Sequence, residues 1–182
     1  AGLDDCLIGM VCFMRSWKGV DDFINAANIL RDKKNIKWVI IGGGFAQKYK
    51  LLVKKLGLEK HVHFTDHLSN PFPGIASLDI FSLLSTAHEG VSQASLQAAF
   101  LEKPLITTST GGLWEVCIDK VTGIQVPLFA PQKVAEAMVL LQQDPMLRKN
   151  MGMEAKKLVL ENFTYTHMLD KMEEVYRTIL RS

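Results

Sequence analysis

Apolar residues along this chain fall into two alternating registers. Contiguous runs, such as residues 7–13, Trp38-Val39-Ile40-Ile41 and residues 78–84, suit strands buried on both faces. Between them, apolar residues recur every third or fourth position, which suits helices packed on one side. After the first run, Val20, Phe23, Ile24, Ala27 and Leu30 keep helical spacing. The run at 36–41 ends in Gly42-Gly43-Gly44, and a helix with Leu51, Leu52, Leu56 and a basic exposed side follows, stopped by Gly57. A short strand at 62–65 precedes a Pro- and Gly-rich loop or short turn at 69–74. The run at 78–84 leads into an Ala- and Leu-rich helix near 91–101. A strand beginning at 104–107, a short helix opened by Gly111-Gly112 and a strand at 122–126 come next. From Pro131 the pattern is helical in three pieces, interrupted at Asp144-Pro145 and Asn162-Phe163-Thr164.

Six strands separated by crossover helices predict an α/β fold. The expected architecture is a Rossmann-like, doubly wound, six-stranded parallel sheet with helices on both faces and a helical C-terminal tail. With 182 residues, 48% of them hydrophobic, and no repeat or linker, residues 1–182 read as one domain. Ligands of such sheets bind beyond the carboxyl ends of the strands, which singles out the loops at 14–19, 42–45, 87–93 and 107–114.

Charge narrows the partners. Twenty-one basic and 19 acidic residues leave a net +2, mixed in sign, which argues against nucleic acid as a partner. No apolar run approaches the roughly 18–20 residues of a membrane span. The first residues carry no basic flank or cleavage pattern, so no signal peptide is expected. The missing initiator Met and the apolar run under way by Leu7 predict an excerpt of a longer polypeptide.

Cys6, Cys12 and Cys117 form no C-x-x-C pair, leave an odd count and sit among apolar neighbours, so buried free thiols in a reducing cytosol are expected. His61 and His63 share a strand face, but no third ligand follows at metal spacing, and no metal is expected. Trp17, Trp38 and Trp114 read as core or packing residues. Met138, Met146, Met151, Met153, Met168 and Met172 read as helix packing.

Two phosphate cradles fail on inspection. A G-x-G-x-x-G fingerprint should follow the first strand, whereas the glycine triplet follows the second and Gln47 occupies the third Gly position; no P-loop sequence exists. The triplet is at least a tight turn, and Gly43 and Gly44 are candidates for close nucleotide approach. The segment His88-Glu89-Gly90-Val91-Ser92-Gln93 is more informative. A Gly-containing turn at a helix N-terminus offers backbone N–H groups to an anion. Glu89 can accept hydrogen bonds from sugar hydroxyls, and Gln97 can reach a second set. Lys18-Gly19, in the first strand's loop, supplies a cation for a diphosphate.

Seven short motifs in one order then carry a resemblance. They are Lys18-Gly19, Ile41-Gly42-Gly43-Gly44, Val62-His63-Phe64, His88-Glu89-Gly90, Lys103-Pro104-Leu105-Ile106, Gly111-Gly112-Leu113 with Glu115, and Thr122-Gly123 with Val126-Pro127. Together they resemble the C-terminal domain of glycosyltransferase family 4, retaining enzymes of the two-domain B-type fold. The resemblance spans essentially the whole chain. It implies a transferase whose donor is a nucleoside-diphosphate sugar, with neither cofactor nor metal. Lys18 would sit on the diphosphate, Glu89 on the sugar hydroxyls, and Gly19 and the backbone of Gly90, Val91 and Ser92 against sugar or phosphate. Gln97 would face the ribose. The acceptor would come from an N-terminal domain of the same protein, absent here, so the excerpt alone is expected to be inactive. The implied setting is cell-surface polysaccharide or glycolipid synthesis in the cytoplasm, with any association with the inner face of the membrane made through the missing domain.

Three departures bear on turnover. Gln97 stands where the family has a second Glu, Phe13 replaces an Arg five residues before Lys18, and Trp114 replaces a Pro. Arg15 is the candidate to replace the lost cation. A nucleotide-sugar 2-epimerase of the same architecture and a degenerate domain that binds nucleotide or partner without turnover stay open as alternatives. Glu89 and Lys18 are expected to flank one cleft, at the carboxyl ends of the first and fourth strands, with room for a diphosphate between them. The tail's Met168, Met172, Val175 and Ile179 are expected to be exposed.

Overall fold

The computed structural model describes residues 5–180. The strands are β1 (Cys6–Val11), β2 (Ile36–Ile41), β3 (Val62–Phe64), β4 (Ile80–Leu83), β5 (Leu105–Thr108) and β6 (Gly123–Val126). All are parallel, in the order β3-β2-β1-β4-β5-β6. The chain therefore winds outward from β1 to β3, then restarts beside β1 and winds the other way. That reversal leaves a crevice at the carboxyl ends of β1 and β4, where the crossover loops diverge.

Helices α1 (Val20–Ile29), α2 (Ala46–Lys55) and α5 (Pro131–Gln143) pack on one face, and α3 (Phe72–Ala76), α4 (Gln93–Phe100) and α6 (Pro145–Asn162) on the other. The strands alternate between the two cores. Ile8, Met10, Trp38 and Ile80 join Phe23 and Met138 on the first face. Phe81 and Leu83 join Ala98, Leu113 and Ala155 on the second. With both faces covered, a strand can be apolar at every position, and β4 and β5 are buried throughout.

The expected sheet, helices and tail are all present. The loop expected at 69–74 is partly helical, because Pro71 and Pro73 preset the backbone of the first turn of α3. Helix α4 begins at Gln93 instead of 91, since the Ser92 side chain caps it by accepting from the Ser95 amide.

Two packing expectations need correction. Met138 and Met151 are buried, but Met146 (63% exposed) and Met153 (50%) are not. Met151, Ala155 and Val159 share the inner face of α6 at four-residue spacing, which turns Met153 outward. Trp38 is fully buried and Trp17 half-buried, while Trp114 is 55% exposed, because the 3₁₀ turn Leu113–Glu115 directs Leu113 inward instead.

The final helix, α7 (Tyr165–Leu180), has no buried residue. Met168, Met172, Val175 and Ile179 are exposed as expected, and with Val91, Leu96 and Phe163 several of them border an apolar groove of about 720 Å³. No described helix is long and apolar enough to cross a membrane.

Candidate functional site

The β1–α1 and β4–α4 loops lie side by side at the switch point. Gly19, which caps α1 in the left-handed region (φ +68°), permits this contact. A Cβ there would meet the Leu84 carbonyl oxygen at 2.0 Å, so only glycine lets the two backbones touch. The Thr86 amide donates to the Trp17 carbonyl (2.7 Å), and the Trp17 ring meets His88 edge-on at 5.3 Å. This packing sets the Lys18 ammonium directly against the Glu89 carboxylate, as an ion pair that closes the space expected between them.

Glu89 is well enclosed. Its side chain is 6% exposed, and the same Oε1 that accepts from Lys18 also accepts from the Ser85 hydroxyl at 2.7 Å. Thr108 donates in turn to the Ser85 carbonyl at 2.5 Å, tying the end of β5 into the cluster. The β5 loop supports Glu89 from behind, where the Gly112 amide donates to its carbonyl at 3.2 Å. Ser85 escaped the sequence reading; a Ser four residues before Glu89, at the strand's end, was its only signal.

The remaining candidates surround this pair. Among the described residues, the amides of Gly90, Val91 and Ser92 have no protein acceptor, at the mouth of a helix N-terminus. Met14 bonds Gly43 through its amide and Phe45 through its carbonyl, drawing the β2 glycine turn up to the β1 loop. Arg15 is exposed, its guanidinium 5.3 Å from the Phe13 ring and 5.1 Å from the Trp17 ring, and it has no acidic partner among the described residues. Beside it a cleft of about 350 Å³ is bordered by Cys12, Gly42, Gly43, His67, Gln93 and Gln97. Gly44 is exposed just outside that border, and Gln97 makes no side-chain hydrogen bond among the described residues.

The three cysteines are free thiols. Cys6 and Cys117 are buried as expected, but Cys12 is only half-buried, because it leaves β1 toward the cleft. Burial pushes the Cys12 thiol up to about 12, with Lys18 opposing and Glu89 adding to the rise. Cys117 lies just past the 3₁₀ turn and not within a helix.

Comparison with known proteins identifies the family. Residues 3–158 match the family model described as glycosyl transferases group 1. The chain is 30% identical over 182 residues to an alpha-D-kanosaminyltransferase of Streptomyces kanamyceticus, covering 98% of itself and 47% of that protein. It thus spans about half the length of the curated relatives it matches. The C-terminal domain of a glycosyl transferase group 1 family protein from Francisella tularensis superposes with a TM-score of 0.77 at 26% identity, covering 88% of this chain and 87% of that one. The Anabaena protein HepE, in complex with UDP and glucose, gives a TM-score of 0.86 at 20% identity over 96% of this chain and 48% of that one. The chain belongs to the glycosyl transferases group 1 family.

Proposed function

We propose that this chain is the donor-binding, C-terminal half of a retaining glycosyltransferase of family 4, and that it holds a nucleoside-diphosphate sugar. The observation that carries the reading is the juxtaposition of Lys18, Glu89 and the free amides of Gly90, Val91 and Ser92 at the switch point. Lys18 and Arg15 match a diphosphate in charge, and helix-mouth amides match its oxygens. Arg15 supports the reading further, as a cation with no acidic partner among the described residues. Glu89, an acceptor-only group enclosed by protein, suits the hydroxyls of a sugar ring. The cleft beside Gln97, Gly42 and Gly43 takes the nucleoside, and Gly19 and Gly44 shape its surroundings by letting the neighbouring backbone of Leu84 and Met14 come close.

The reading makes Glu89, steadied by the Ser85 hydroxyl, an acceptor for sugar hydroxyls and assigns it no nucleophilic role. Stabilising the departing diphosphate, through Lys18, Arg15 and the helix mouth, carries the chemistry without a metal. The acceptor comes from an N-terminal domain, and the exposed apolar face of α7 is the surface that domain covers. Support comes from the chain's share of its relatives, about half, and from the structural neighbour solved in complex with UDP and glucose.

The test is calorimetry on the full-length protein with uridine, guanosine and adenosine diphosphates and their sugar conjugates. Lys18→Ala should weaken every diphosphate that binds, whereas Glu89→Ala should erase the preference for the sugar conjugate. If no nucleoside diphosphate binds the unmutated protein, the reading fails.

A further inference from the structure

Lys18 and Glu89 neutralise each other, and each is a group that the donor-site reading needs free. Glu89 is the more confined partner, with 6% of its side chain exposed against 20% for Lys18. Its Oε1 has two donors, the Lys18 ammonium and the Ser85 hydroxyl. A carboxylate in such surroundings gives up its cation only when other donors replace it.

We infer that the pair is an exchange latch that selects nucleotides bearing a sugar over nucleotides without one; the inference rests on the donor-site reading above. A diphosphate that captures Lys18 leaves Glu89 charged, enclosed and served by one neutral hydroxyl. A sugar attached to that diphosphate brings hydroxyl donors to the vacated side of Glu89, so the exchange is matched group for group. A sugar-free nucleoside diphosphate brings no such donor and competes for Lys18 against the whole charge of Glu89. The same competition favours departure of a nucleotide that has lost its sugar, since Glu89 retakes Lys18. Arg15 lies outside this exchange, having no acidic partner among the described residues.

The latch makes a prediction that simple sugar contact does not. If Glu89 only bonded the sugar, removing its charge would leave sugar-free nucleotide binding as it was. With a latch, Glu89→Gln frees Lys18 and tightens that binding.

Two readouts on the full-length protein decide it. In the first, without ligand, lysines are acylated and followed by peptide mass spectrometry. Lys18 should react far more slowly than exposed Lys54. Glu89→Gln should speed Lys18 at least about tenfold, the shift expected when a charge-assisted bond of this class is lost, and leave Lys54 unchanged. In the second, calorimetry with uridine, guanosine and adenosine diphosphates should show Glu89→Gln binding the one that wild type accepts about fivefold or more tightly, while its sugar conjugate weakens. Glu89→Asp, which keeps the charge but withdraws it by one methylene, should give intermediate changes and serves if the Gln variant does not fold. The latch is overturned if Lys18 labelling ignores Glu89, or if wild type binds a diphosphate that Glu89→Gln binds no more tightly. If labelling responds but wild type binds no nucleoside diphosphate, the donor-site reading fails and the latch falls with it.

Discussion

The carbonyl oxygen of Glu89 lies over Gly111 so closely that a Cβ built on that glycine would sit 1.7 Å away from it. Gly111 also occupies the left-handed region, at φ +56°. The backbone of one loop thus rests on the bare backbone of the next, and the position of Glu89 depends on a residue that has no side chain.

Gly111→Ala should therefore act on both stability and the site. The left-handed conformation alone costs an L residue about 1–3 kcal/mol, and the clash with the Glu89 carbonyl adds to it. Thermal unfolding should fall by about 2–4 °C for each kcal/mol lost in a domain of this size. Calorimetry should show the sugar conjugate weakened more than the plain diphosphate, because the moved group is the sugar's partner. Gly90→Ala is the control. Nothing lies within 4 Å of a Cβ there, so its melting temperature should hold.

The fold was legible because β1, β2 and β4 lie in separate apolar runs and helices such as α1 repeat on one face, and neither signal depends on long-range contacts. Gly111-Gly112 illustrates the limit. The sequence marks a turn there, but that the turn is the floor beneath Glu89 follows only from β5 lying beside β4. Ser85 and the direct Lys18–Glu89 contact were hidden for the same reason, since 71 residues separate that pair in sequence and the sheet order closes the gap. Trp114 misled because composition says how large a side chain is and not which way a three-residue turn aims it.

The thiols should make the fold sensitive to alkali. Burial is the chief cause in all three, pushing Cys6 and Cys12 up to about 12 and Cys117 to about 11 from the ordinary 9.0. Below pH 9 the folded and unfolded chains hold the same thiol protons, so nothing is lost. Above it the unfolded chain releases protons that the folded chain keeps, and stability falls through the window up to about 11–12. Each thiol contributes about 1.4 kcal/mol per pH unit within its window. Urea midpoints should drop between about pH 8 and about pH 10, and drop less once Cys6 and Cys117 are replaced by Ala. An equal drop in that double variant would dismiss Cys6 and Cys117 as the cause.

The groove-facing side of α7 should behave as surface in this 182-residue chain. Met172 is 45% exposed and Val175 57%, so Met172→Lys with Val175→Glu removes apolar area without opening a cavity. Surface changes of this kind stay within about 0.5 kcal/mol each, so the melting temperature should hold. Binding of a hydrophobic dye, by contrast, should fall. In the full-length protein, where the proposed N-terminal domain covers this face, the same substitutions should lower stability. Equal melting temperatures in both settings would mean that α7 stays uncovered.

Gln97 is the position where one atom's chemistry should change affinity most cleanly. It sits on α4, half-buried beside the cleft that also borders Gly42, Gly43 and His67, and its amide has no hydrogen-bond partner among the described residues. A ribose placed there meets a neutral acceptor. A carboxylate would accept the same hydroxyls with a charge-assisted bond, of about 1.5–3 kcal/mol against about 0.5–1.5 for a neutral one. Among the described residues no acid borders this cleft, and the Lys18–Glu89 pair is already neutral overall. Gln97→Glu should then tighten the bound nucleoside diphosphate by about 1 kcal/mol, roughly fivefold, with the sugar preference unchanged. A nucleotide lacking the ribose hydroxyls should gain nothing. If the deoxy and ribose forms gain equally in calorimetry, Gln97 does not face the ribose, and the cleft beside it takes some other part of the donor.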